Sequence, residues 1–104
     1  LLSRQAILTG SLFVREAATN ALKYARQGTP VNLFVEVTGG ELSLMMVNEI
    51  GESPSRDALT GGFGLMNLQS QIEAEGGRLS FVSASGRWII NAAIPNPGKE
   101  TSDG

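Results

Sequence analysis

A chain of 104 residues holds one small hydrophobic core and not two. Its 41% apolar and 17% charged residues are ordinary for a globular domain, and a formal net charge of −2 gives no basis for a nucleic-acid or acidic-membrane partner. With no cysteine and no histidine, disulfides, thiolate chemistry, His-based triads and His-ligated metals are excluded.

No apolar run approaches the roughly 20 residues that span a bilayer, and no signal-peptide pattern opens the chain. Leu1-Leu2 leads almost directly into a helical pattern without an initiator Met, which is expected of a piece of a longer protein. No internal repeat or low-complexity tract is evident.

The periodicity predicts a first helix from about Ser3 to Gln27, with Thr9-Gly10-Ser11 as the place where it could break. Within it, Val14, Ala17, Ala18, Ala21, Leu22 and Ala25 share one broad apolar arc at about 100° per residue. On the other side Glu16, Asn20 and Lys23 fall within roughly 60° of one another, a ridge of carboxylate, amide and ammonium. The simple account of that ridge is a solvated face with a Glu–Lys pair. Gly28-Thr29-Pro30 stops the helix.

Val31 to Val37 alternates as a strand, Gly39-Gly40 signals a hairpin, and Glu41 to Val47 returns. Asn48 to Phe63 has no periodicity and is rich in Gly, Ser, Asp and Pro, so it reads as a long irregular loop of the kind that often carries function. Gly64 to Glu75 is a second helix with a Leu65, Leu68, Ile72 stripe, closed by Gly76-Gly77. Arg78 to Val82 and Trp88 to Ile94 form a second hairpin around Ser83-Ala84-Ser85-Gly86. Trp88, the sole tryptophan, reads as a core residue and not as a ligand-stacking one. Residues 97–104 are expected to be a disordered tail. Helix, hairpin, loop, helix, hairpin is an α+β order, solved most simply by a two-layer sandwich with both helices on one face of a largely antiparallel sheet.

Two stretches carry chemistry. Glu16-x-x-x-Asn20-x-x-Lys23-Tyr24, on an alanine-rich helix, resembles the N box of the GHKL ATPase superfamily, which includes gyrase-type ATPases, mismatch-repair ATPases and sensor histidine kinases. Gly61-Gly62-Phe63-Gly64-Leu65 stands directly before a helix, where glycines allow close backbone approach and free N–H groups face an anion. No Gly-Lys-Ser/Thr follows, so it is not a Walker loop, and no βαβ crossover surrounds it. It resembles the second glycine box of the same superfamily, and Leu65-Met66-Asn67-Leu68, Ile72 and Glu75-Gly76-Gly77-Arg78-Leu79 continue that pattern. Gly86-Arg87-Trp88 through Ile94-Pro95 resembles the last strand of the histidine kinase catalytic domain.

The first glycine box departs from the family. Where an Asp usually accepts the adenine amino group, this chain has Val47-Asn48-Glu49-Ile50-Gly51. The Asn48 amide oxygen can accept the same bond. Glu49 competes for the role, and Asn48 as a simple turn-former is the remaining account.

The resemblance, covering roughly Leu12 to Pro95, implies a Bergerat-type fold with a mixed sheet over residues 1–96, truncated at the N-terminus by the strand that usually precedes the N-box helix. It implies the ATP-binding catalytic domain of a sensor histidine kinase, an enzyme moving the γ-phosphoryl group of ATP to a histidine outside this chain. In that reading Glu16 orients or deprotonates the acceptor, and Asn20 holds Mg²⁺. Lys23 neutralises phosphate charge or is an ordinary surface lysine. Asn48 reads adenine, Gly51 lets the ring approach, and Gly62, Gly64 and Leu65 meet the phosphates. The implied cofactors are ATP and Mg²⁺. The implied partners are the dimerisation and phosphoacceptor helices of the same kinase and, through them, a response regulator. The piece itself is expected to be monomeric, to bind nucleotide without phosphorylating itself, and to lie in the cytoplasm, whether or not the whole protein is membrane-anchored. The alternatives are an anti-sigma-factor serine kinase of the same superfamily and a docking module that has lost ATP.

Overall fold

The computed structural model describes residues 2–50 and 64–96, the Tyr24 side chain excepted. Helix α1 spans Arg4–Tyr24, and the Ser3 side chain caps it by accepting from the Ala6 N–H at 3.1 Å. It runs unbroken through Thr9-Gly10-Ser11. Gly10 is there for proximity: a Cβ at that position would stand 3.0 Å from the Leu42 side chain, so its absence lets the helix lie close on the sheet. The hydroxyls of Ser11 and Thr19 donate back to the carbonyls of Ile7 and Arg15, which satisfies them inside the helix.

α1 ends earlier than its pattern predicts, because tertiary pairing takes over. Ala25 forms a bridge with Ile50, and the Arg26 N–H donates to the Glu49 carbonyl at 2.6 Å. Gly28, at φ 84, then makes the turn that leads to the first strand.

Strands β1 (Val31–Val37) and β2 (Glu41–Glu49) form the first hairpin. Helix α2 (Gly64–Ala74) precedes β3 (Arg78–Ala84) and β4 (Arg87–Pro95). Ser85 and Gly86 turn the second hairpin with φ of 53 and 75, two successive positive values as in a type I′ turn. The sheet order is β1-β2-β4-β3, with every neighbouring pair antiparallel. This is the expected α+β layering, although the parallel component of a mixed sheet is not among the described residues. β2 extends through Asn48 and Glu49, which were expected to begin the loop; the rest of that loop, residues 51–63, and the tail 97–104 lie outside the described residues.

The buried stripe of α1 is Ala6, Thr9, Phe13, Ala17, Asn20 and Ala21. That centre is rotated from the apolar arc read along the sequence, and Leu22, placed on that arc, is 89% exposed. Alanines provided the apolar signal without the bulk. The large Phe13 decides which side goes down, since burying an aromatic ring outweighs burying several methyl groups. The ridge of Glu16, Asn20 and Lys23 therefore flanks the core instead of opposing it, with Asn20 buried, Glu16 half-buried and Lys23 exposed.

Phe13 and Ala17 meet Leu44 and Met46 of β2, Ile90 and Ile94 of β4, and Leu65, Leu68 and Ile72 of α2 in one core. Thr9, itself buried, donates its hydroxyl to Glu75 at 2.9 Å, tying the start of α1 to the end of α2. The Ser3 N–H donates to buried Asn96 at 2.8 Å, and Gln69 donates to the Leu79 carbonyl at 2.9 Å. Gly77 is needed where β3 begins, because a Cβ there would overlap the Ala93 carbonyl.

Candidate functional site

The two helices run in opposite directions on the sheet. Thr9 near the start of α1 meets Glu75 beyond the end of α2, while Glu16 lies against Gly64 at the start of α2. The contact at Gly64 is close enough that any Cβ would overlap the Glu16 carboxylate. A carboxylate at a helix start suits the partial positive charge of the free N–H groups there. The residue types of the N box and of the second glycine box, 48 positions apart in sequence, are thus in direct contact.

Asn20 and Asn48 come to the same level by geometry. α1 travels alongside β2 in the same direction, with Gly10 against Leu42 and Leu44 and Ala25 bridged to Ile50. Five helical residues back from Ala25 is about 7.5 Å at 1.5 Å per residue. Two strand residues back from Ile50 is about 6.6 Å at 3.3 Å per residue. Both amides are buried.

The period of the strand separates the two candidates at the end of β2. Asn48 continues the buried row of Leu42, Leu44 and Met46 on the helix-covered face, while Glu49 is on the alternate face. The Asn48 amide nitrogen makes a long contact of 3.4 Å to the Glu49 carbonyl, and its oxygen has the chemistry of an acceptor. Glu49 contributes instead through its main chain, accepting from Arg26.

The Leu65 side chain is in the core, as its stripe with Leu68 and Ile72 implies, and its main-chain N–H at the start of α2 is the group available to an anion. Lys23 sits exposed in the last turn of α1, consistent with either account of it. Gly51 and Gly62 lie outside the described residues.

One residue at this end is expected from the sequence to be core alone. Trp88 stands directly opposite Asn48 in the β2–β4 ladder and opposite Ser83 in the β3–β4 ladder, 1% exposed. Its indole N–H has no hydrogen-bond partner among the described residues. Only the strand register brings it beside Asn48.

The donor set fits Mg²⁺ in one way only. No cluster of three or more acidic side chains that could hold a metal is present among the described residues. A single buried amide oxygen, that of Asn20, suits a Mg²⁺ held mainly by phosphate oxygens and water.

No protein-family profile matches the sequence, and no curated protein matches it. Solved structures do. Histidine kinase AdeS of Acinetobacter baumannii aligns with a TM-score of 0.66 at 20% identity, covering 85% of this chain and 46% of that one. The blue-light-activated histidine kinase EL346 of Erythrobacter litoralis aligns with a TM-score of 0.68 at 21% identity, over 91% of this chain and 33% of that one. The catalytic domain of histidine kinase ThkA gives a TM-score of 0.63 at 15% identity, over 83% of this chain and 63% of that one. At these identities the likeness is one of fold: the chain has the fold of the histidine kinase catalytic domain. It spans between a third and about half the length of the AdeS and EL346 structures.

Proposed function

We propose that this chain is the ATP-binding catalytic part of a sensor histidine kinase, which passes the γ-phosphoryl group of ATP to a histidine on another segment or chain. The observation that supports this most is the gathering of Glu16, Asn20, Asn48 and Gly64 at one end of a sheet whose fold is that of histidine kinase catalytic domains. The chain has no histidine of its own, so the acceptor has to be supplied.

Phosphoryl transfer depends mainly on positioning and charge stabilisation. Asn48 accepts from the adenine amino group, and the start of α2 offers main-chain N–H groups to phosphate. Asn20 would hold Mg²⁺ through its amide oxygen, and the ion would supply neutralisation of phosphate charge. Glu16 cannot itself favour a bound phosphate, since like charges repel. Its role is toward the incoming imidazole, orienting it or taking its proton.

Calorimetric titration with ATP, with and without Mg²⁺, tests the binding half. Asn20→Ala should remove most of the Mg²⁺ dependence while the fold is kept; unchanged ATP–Mg²⁺ binding by that variant removes the metal-ligand role. The chemical half is read by radiolabel transfer to a separately supplied histidine-bearing acceptor domain. Glu16→Gln should bind ATP like the parent yet transfer roughly 10²–10⁴-fold more slowly, the usual contribution of a general base. Normal transfer by Glu16→Gln would leave Glu16 as a helix-pairing residue only.

A further inference from the structure

The indole N–H of Trp88 is the one buried side-chain polar atom without a hydrogen-bond partner among the described residues. Leaving a donor buried and unpaired is costly, and native structures rarely do so without a reason. Packing does not supply the reason. The residues that follow Trp88 in its row on β4 are Ile90, Ala92 and Ile94, all buried and none with a polar side-chain atom. The Phe81 ring lies 5.5 Å from the indole, tilted by 34°, an apolar neighbour that a phenylalanine would match as well.

Its position supplies one. Trp88 shares a rung with Asn48, and the Ile50 N–H closes that end of the ladder by donating to the Gly86 carbonyl at 2.9 Å. Building on the nucleotide-binding reading above, we infer that the Trp88 indole N–H is a base-reading donor that works with the Asn48 amide to recognise a purine. The amide oxygen takes the exocyclic amine, and the indole takes a ring-nitrogen acceptor on the same edge of the base. Adenine offers such a pair, an amino group beside an acceptor nitrogen, on both its N1 and its N7 side. Guanine carries a hydrogen on N1, so on that side donor would meet donor. Trp88 is thus a specificity residue that acts through the edge of its ring, while the ring itself stays in the core.

The test is a set of ADP analogues in which one base nitrogen is replaced by C–H: 1-deaza-, 3-deaza- and 7-deaza-ADP. They are titrated against the intact chain and against Trp88→Phe. The parent should bind 3-deaza-ADP like ADP, and 1-deaza- or 7-deaza-ADP more weakly than ADP by roughly 5- to 50-fold, the range for one lost buried hydrogen bond. Trp88→Phe should lose a similar factor for ADP and no longer distinguish that analogue. Because Trp88→Phe leaves a smaller ring in the core, its melting temperature without nucleotide is measured alongside, which separates a packing loss from a lost base contact. A parent that binds ADP but treats all three analogues alike overturns the inference and leaves the nucleotide reading standing; so does Trp88→Phe that keeps both the affinity and the discrimination. If Trp88→Phe does not fold, the analogue series on the parent still decides. A parent that binds no ADP overturns both readings together.

Discussion

β1 and β4 are written in the same way and end in opposite circumstances. Both alternate, and the register sets their rows side by side. Val31, Asn48 and Trp88 share one rung, and Leu33, Met46 and Ile90 the next; Val35, Leu44 and Ala92, then Val37, Leu42 and Ile94, complete the row. On β2 and β4 all these residues are buried, whereas on β1 Val31, Leu33, Val35 and Val37 are 43–55% exposed. Alternation decides which face of a strand is apolar. It does not decide whether a second layer lies over that face. Among the described residues α1 covers β2 and β4, α2 covers β3, and β1 pairs with β2. A crevice of about 460 Å³ runs between Val35 and the Ile7 and Val14 side of α1.

The comparison breaks most readily on the central row. Ile90→Ala should cost about 2–5 kcal/mol, the range for truncating a fully buried aliphatic side chain, measured as a shift in the urea midpoint at constant slope. A cost below about 1 kcal/mol would mean that the row is not sealed by Phe13 and the helix layer. Next comes the anchor that holds the layer over β4. Asn96→Ala strands the Ser3 N–H and should cost about 1–3 kcal/mol, with the start of α1 losing amide-exchange protection before the rest of the helix. Thr9→Val removes the hydroxyl donated to Glu75 with little change of volume, and should cost about 0.5–1.5 kcal/mol by the same measurement. The smallest effect is expected on β1, where Leu33→Lys should change stability by no more than about 0.5 kcal/mol, the usual range for an exposed site. The same substitution should raise the concentration at which the chain stays monodisperse in light scattering, since an uncovered apolar edge strand invites association. A large loss of stability at Leu33 would mean that β1 is covered after all.

The site divides in the same way. Helical arithmetic put Glu16, Asn20 and Lys23 on one ridge, and that needs nothing beyond 3.6 residues per turn. It could not say which way the ridge faced. The alanine arc suggested that the ridge pointed away from the core, and Phe13 turned it instead to the flank, where Glu16 meets Gly64. Gly61-Gly62-Phe63-Gly64 was legible as a backbone feature before a helix because glycine there has few other uses. Which atoms it would meet was not legible, because the contact spans dozens of residues of chain.

The sequence by itself determined the local elements: two helices with their stops, two hairpins with their turns, and a polar ridge of Glu16, Asn20 and Lys23. These are contests among near neighbours, decided by periodicity and by Gly and Pro. The tertiary structure alone decided the matters that depend on pairing across the chain. It ended α1 at Tyr24, because Ala25 and Arg26 bond to the end of β2. It placed Asn48 under the helix layer and Glu49 on the other face, because β2 continued two residues into what read as loop. It set Trp88 opposite Asn48, because β4 pairs with β2 in one register, and a slip of one residue would have sent the indole to the other side of the sheet.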